Sequence, residues 1–170
     1  MAACRSALEV FTREQFPQQW VETQNALSDT LRALANQSAG EEGLKHKREA
    51  VELLRDVMSY QSDDLSRYHL ASALGDLAFN LVLDRQFAEA QTCCEEAQSL
   101  IDKIGDGIQK EERNNLIFIQ VNLAHALLFL GHYEDALAIY RQNWNKPLHG
   151  KTFGEITLKD FAAFDQAKLD

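Results

Sequence analysis

The sequence predicts an all-α protein built from antiparallel helix pairs, and three observations predict it. First, apolar residues recur at three- and four-residue steps: Ala26, Leu27, Leu31 and Leu34; Leu70, Ala73, Leu74, Leu77, Ala78 and Leu81; Val121, Ala124, Leu127 and Leu128. That spacing gathers side chains on one helical stripe. Second, only 2 prolines and 8 glycines interrupt 170 residues, too few breaks for a many-stranded sheet. Third, the links between the stripes are short, so consecutive helices are expected to be antiparallel neighbours.

Helices are expected near residues 2–14, 18–36, 42–59, 64–83, 87–103, 108–130, 133–144 and 155–168, on periodicity and punctuation. Phe16-Pro17 closes the first and opens the second, because proline suits a first helical turn and restrains the residue before it. Ser38-Ala-Gly-Glu-Glu-Gly43 reads as a loop. Ser62-Asp63-Asp64 offers a cap and first-turn acids for the fourth helix. Asp84-Arg85-Gln86 is a tight connection. Gly105-Asp106-Gly107, Gly131-His132 and Asn145–Gly150 are the remaining loops.

Composition excludes several classes. Hydrophobic residues make up 45% and charged residues 25%, ordinary for a folded domain and too apolar for disorder. The net charge of −9 makes phosphate backbones and anionic lipid poor partners. The basic run Lys45, His46, Lys47 and Arg48 lies among Glu41, Glu42, Glu49 and Glu52, so it reads as a solvated, self-compensated helix start. No stretch approaches the roughly 20 apolar residues that span a bilayer. The start, Met1-Ala-Ala-Cys-Arg-Ser, lacks the basic-then-apolar pattern of a secretory signal. Cys4, Cys93 and Cys94 suggest no disulfide framework. A reducing cytoplasm fits.

The chain repeats itself. Three helix starts align on alanine: Ala50-Val-Glu-Leu-Leu54, Ala90-Gln-Thr-Cys-Cys94 and Ala136-Leu-Ala-Ile-Tyr140. Two share a lead-in, Phe87-Ala-Glu-Ala90 and Tyr133-Glu-Asp-Ala136. Upstream stand Leu74-x-x-Leu77-Ala78-x-x-Leu81, Gln120-x-x-Leu123-Ala124-x-x-Leu127 and Gln24-x-x-Leu27-Ser28-x-x-Leu31. The pattern resembles the tetratricopeptide repeat: a large residue, Leu and a small residue on the first helix, then Ala, an aromatic and a Pro on the second. Leu123, Ala124, Leu127, Gly131, Tyr133, Ala136, Tyr140 and Pro147 give the fullest match. The second unit has Cys94 in the aromatic slot and lacks the proline. Ala50 to Ala90 spans 40 residues and Ala90 to Ala136 spans 46, against about 34 in the family. That spacing resembles the longer-helix members of the family, and the first unit is expected to carry roughly ten extra residues in the link between its helices.

The resemblance implies a right-handed superhelical solenoid of about three helix pairs. They would cover residues 1–149 as a partial unit at 1–16 and full units near 20–59, 64–103 and 108–147. Residues 150–170 would form a C-terminal capping or interaction helix. The start within a repeat suggests a piece of a larger array; an ordinary capping helix at 2–14 is the alternative. Ala78, Ala90, Ala124 and Ala136 are expected where helices cross closely. Leu77, Leu81, Tyr140, Phe87 and Tyr133 would fill the space around them.

The first helix of each pair would line a concave face, which in the family holds extended peptides or helices. The matching positions are Glu22, Asn25, Asp29, Arg32 and Ala33; Ser72, Gly75, Phe79, Val82 and Leu83; and Phe118, Val121, His125, Leu128 and Phe129. Helical apolar stripes are usually core, so Phe79, Leu83, Leu128 and Phe129 have that ordinary reading too. The lysine cluster of members that grip chaperone carboxyl-termini does not appear at Asn25 and Asp29, Gly75 and Phe79, or Val121 and His125. In the tail, Leu158, Phe161, Ala162 and Leu169 share a face with Phe164 nearby. That helix would cover the last repeat or fill the groove as a built-in ligand.

Nothing in the chain suggests catalysis or a cofactor. The five histidines form no His-x-x-x-His pair, Cys93-Cys94 diverge on a helix, and no Cys-x-x-Cys or phosphate-binding loop is present. His125 reads as a satisfied or solvent-facing histidine. Cys94 is expected to be buried and unreactive. The expected function is a protein-interaction scaffold that holds a peptide or helix of a partner. Alternatives are self-association through open ends and a regulatory arm of a larger protein.

Overall fold

The computed structural model describes residues 1–38, 40–109, 112, 114, 116–148 and 150–169. Among them are eight helices and one two-stranded ladder. The helices are α1 (Ala2–Val10), α2 (Pro17–Ala35), α3 (Gly40–Tyr60), α4 (Asp64–Leu83), α5 (Phe87–Ile101), α6 (Phe118–Phe129), α7 (Tyr133–Asn143) and α8 (Phe153–Gln166). Strands β1 (Pro147–Leu148) and β2 (Lys151–Thr152) lie between the last two.

Local chemistry sets the helix ends. Pro17 opens α2 in its first turn. The Asp63 carboxylate accepts from the Ser66 N–H at 2.8 Å and caps α4. Thr152 and Glu155 form a reciprocal capping box at α8. The exits from α4 and α6 share one geometry. Arg85 and Gly131 both take positive φ, 61° and 84°. The Gln86 N–H donates to Leu81 O and the Arg85 N–H to Val82 O, while His132 donates to Leu127 and Gly131 to Leu128. This is the Schellman pattern, repeated at matching positions of two helix pairs.

Each helix from α1 to α7 packs on its neighbour in the chain; α4 also touches α2 and α6. The buried face of α2, Val21, Gln24, Leu27, Ser28, Leu31 and Ala35, follows three- and four-residue steps. Helix α4 is buried on nearly every side, from Leu70 through Val82, because α2, α3, α5 and α6 surround it. Ala78, Ala90, Ala124 and Ala136 are all 0% exposed. The largest core cluster joins α3, α4, α5 and α6 with Ile104, Ile108, Leu116 and Phe164. A second cluster joins α6 and α7 to Leu148 and Phe153.

Several expectations change. The first pair has no long link: α2 ends at Ala35 and α3 begins at Gly40, so the extra residues lengthen the helices themselves. Residues 110, 111, 113 and 115 of the helix expected over 108–130 lie outside the described residues, and the continuous helix begins at Phe118. Before it, the Asp64 carboxylate accepts from the Gly105 and Gly107 N–H groups, each at 3.1 Å, and turns the chain so that Ile104 and Ile108 enter the core. Asn145–Gly150 is partly strand: Pro147 pairs with Thr152 and Leu148 with Lys151, around Gly150 at φ 76°.

Three side-chain expectations also change. Tyr133 is 66% exposed and does not fill the α6–α7 crossing. On α8 the buried residues are Phe153, Gly154, Thr157 and Phe164, while Leu158 and Ala162 face solvent. Lys47 is not solvated: it is 3% exposed, because its stem lies on the α3 stripe and its ammonium reaches acceptors on α2 and α4.

Candidate partner-binding face

Helices α2, α4 and α6 stand in a row, and the expected binding residues lie on them. On α2, Asp29 is exposed, and Asn25 and Arg32 are half-buried. Arg32 is already engaged. Its Nε donates to Asp76 Oδ2 at 2.8 Å, its Nη2 donates to Ser72 Oγ at 2.8 Å, and Asp29 stands 3.4 Å from Nη1. Lys47 completes the cluster, donating to Asn36 Oδ1 at 2.9 Å and lying 3.6 Å from Asp76. Burial pushes the Lys47 ammonium below its ordinary pKa, Asp76 opposes that shift, and Arg32 adds to it. Asp76 thus holds two cations from two helices. Asn25 Oδ1 is buried without a hydrogen-bond partner.

On α4, Val82 is 0% exposed inside the main core, and Leu83 packs against that core half-buried. Gly75 is buried where α4 meets α6. A Cβ there would stand 2.6 Å from Ile119 Cγ1 and from the Phe118 ring, and Asn122 Nδ2 donates to Gly75 O at 2.9 Å. Phe79 is half-buried. On α6, Val121 is 1% exposed and His125 0%. Phe118, Leu128 and Phe129 are half-buried.

Helix α8 gathers three of these groups. The Phe164 ring lies 6.2 Å from Phe79, 4.7 Å from His125 and 5.4 Å from Phe129, centroid to centroid. Phe161 stands 5.5 Å from His125. Asp160 Oδ2 is 3.3 Å from His125 Nε2, and Tyr140 Oη is 2.8 Å from Nδ1. A neutral imidazole satisfies both: Nε2–H donates to Asp160 and Nδ1 accepts from the Tyr140 O–H. Burial lowers the His125 pKa, outweighing the Asp160 contribution that raises it. Burial also raises the Tyr140 phenol. Arg85 donates to the Lys168 carbonyl at the far end of α8.

Two spaces border α8. A solvent-open groove of about 180 Å³ separates Ile156 and Asp160 from Phe79, Asn80, Val121 and Asn122. A wider apolar cleft of about 570 Å³ runs between α7 and α8, walled by Leu128, Tyr133, Leu137, Trp144 and Phe161, with Arg141 at its side.

Lys47, Asp76 and Asp160 were not among the expected face residues. Nothing local marks them: each matters through a partner 29 or more residues away in sequence. Among the described residues no group of three His, Cys, Asp or Glu side chains is placed to hold a metal, and no helix is long and apolar enough to cross a membrane. Burial pushes the Cys93 thiol up to about 11 and Cys94 higher still, so neither is a thiolate at neutral pH. Compared with protein families, with curated proteins and with solved structures, the chain matches none.

Proposed function

We propose that this protein is a scaffold of the tetratricopeptide type, a right-handed solenoid of helix pairs that holds a peptide or helix of a partner protein against α2, α4 and α6. One observation carries the reading: a helix already lies on that face, with Phe164 seated among Phe79, His125 and Phe129. A face that receives a helix in cis has the shape and chemistry to receive one in trans. The repeated Schellman exits at Arg85 and Gly131 support the repeat assignment. Free Cys4, Cys93 and Cys94 suit a cytoplasmic setting. The proposed role involves no catalysis and no cofactor.

The test is selection of binders from a peptide library, followed by mapping. Binding that falls at least tenfold with Asn25→Lys and Asp29→Lys together, or with Phe79→Ala, and stays unchanged with Thr92→Lys on α5, supports the face. Binders that ignore the first two changes, or a library without binders, refute it.

The cleft beside Trp144 favours a second reading, self-association. Tyr133, Leu137 and Trp144 line it as exposed large apolar side chains, and Leu158, Val10, Phe16 and Tyr60 are exposed elsewhere. Such surfaces mark contacts. Light scattering across a concentration series decides: a mass that doubles, and returns to 19.3 kDa with Leu137→Glu, establishes the dimer. A constant monomer mass removes it.

A further inference from the structure

We infer that the α4–α6 part of the face takes a partner helix built like α8, with aspartate followed directly by phenylalanine and a second phenylalanine three residues later, and that α8 occupies the site in cis until such a helix replaces it. This rests on the reading of α2, α4 and α6 as the binding face.

The contacts of α8 are those of a ligand. They come from one side of the helix, while Leu158, Lys159, Ala162 and Asp165 face solvent. Those that meet Phe79, His125 and Phe129 come from Asp160, Phe161 and Phe164, the arrangement by which a helix reads a groove through anchors one turn apart. One contact is polar and specific. His125 is fully buried, and its Nε2 has Asp160 as its partner. A helix without an acceptor at that place leaves a buried N–H unpaired, so the site selects for the aspartate and not only for apolar bulk.

The fit is also incomplete. A solvent-open groove of about 180 Å³ runs beside Ile156 and Asp160, so α8 leaves part of the face uncovered. The first turn of α8 is anchored apart from the face: Phe153 is fully buried in the second cluster and Gly154 packs against Trp144, while Arg85 holds the far end through one carbonyl. Through the β1–β2 hairpin, α8 is a tethered competitor at high effective concentration. A free helix of equal intrinsic affinity therefore binds the intact chain weakly.

The probe is a fluorescein-labelled synthetic peptide of residues 153–169, titrated against the full chain. Two forms are compared, the natural one and one carrying Phe161→Asp with Phe164→Asp, which detaches α8. In both, Trp20→Phe leaves Trp144 as the tryptophan signal. Its ring lies against Gly154, where a Cβ would come within 2.6 Å, so it reports α8 displacement. The expected result is peptide binding at least tenfold tighter to the detached form. A peptide with Asp160→Ala is expected to lose about tenfold. Equal binding to both forms, or no loss from Asp160→Ala, overturns the inference.

Should the detached form fail to fold, a protease site placed between Gly150 and Lys151 of the otherwise natural chain replaces it. After cleavage of the folded protein, excess labelled peptide is expected to exchange into the face with a change in Trp144 emission. Persistent retention of α8, or unfolding when it leaves, overturns the inference. Library peptides that bind at Asn25 and Asp29 without moving Trp144 would sink this inference and leave the scaffold reading standing. The absence of any binder sinks both.

Discussion

Phe164→Ala is the sharpest single perturbation of the face. Phe164 is 2% exposed, and its ring contacts Phe79, His125, Phe129 and Phe161 from one spot. Truncating a buried phenylalanine costs roughly 3–5 kcal/mol, the upper part where neighbours cannot close the gap. Here half-buried Phe161 and Phe129 can close part of it, so about 3–4 kcal/mol is expected. With a urea dependence of about 2 kcal/mol/M, the midpoint for α8 falls by about 1.5–2 M. The assay is urea titration of the Trp20→Phe form, following Trp144 emission and helical circular dichroism together. Trp144 is expected to lose its native signal at lower urea than the bulk helix signal, because the lost contacts belong to α8. A loss below about 1 kcal/mol refutes the burial argument. Coincident transitions with the full loss would make α8 an inseparable part of the core.

Three further outcomes follow from the same contacts. Asp76→Ala strands buried Lys47 and half-buried Arg32; breaking a buried pair costs roughly 3–5 kcal/mol, and the 30% exposure of Asp76 lowers this to about 2 kcal/mol by urea titration. Lys47→Met, which removes the charge and keeps the volume, is expected to cost under about 1 kcal/mol; equal losses would contradict the stranded-charge account. Gly75→Ala drives a methyl to 2.6 Å from buried Ile119, and a thermal melt is expected to register about 1–3 kcal/mol of overpacking. Burial depresses the pKa of both His69 and His125 below 6.5, so the unfolded chain binds the protons first. Their contribution is present above pH 6.5 and is lost as the pH falls below it; the urea midpoint drops there, and His125→Gln reduces the drop. Asp64 and Glu155, lowered from 3.8 and 4.5 mainly by backbone hydrogen bonds, act in a separate, more acidic window.

The helices were readable because periodicity and caps are local. The α4 start at Asp63 and the Pro17 entry follow from side chains within one turn of the boundary. What escaped reading was set at a distance. Lys47 sits in a run that looks solvated, and Asn36 just past α2 and Asp76 on α4 make its burial tolerable. Two-residue strands carry no period, so Pro147–Leu148 and Lys151–Thr152 could not be told from loop. Leu158 and Phe161 share a helical spacing, yet one faces solvent and the other the face. The rotation of α8 is fixed by Asp160 and Phe164 meeting His125, a contact 35 residues away in sequence.

That rotation separates what holds α8 from what orients it. Buried Phe153 and Phe164, with half-buried Phe161, supply the apolar attraction, but aromatic packing tolerates sliding and turning because dispersion has little direction. A turn of one residue, about 100° on a helix, would still leave a phenylalanine near the face. It would carry Asp160 away from His125 and leave an imidazole N–H buried without a partner, a loss of about 1–3 kcal/mol. The His125–Asp160 contact therefore adds little net stability, as buried polar pairs generally do, and instead penalises the wrong registers. Asp160 accepts only and so calls for the proton on Nε2, and Tyr140 completes the arrangement by donating its O–H to Nδ1. A partner helix that took the place of α8 would meet the same division: bulk decides how tightly it holds, and one acceptor decides whether it sits correctly.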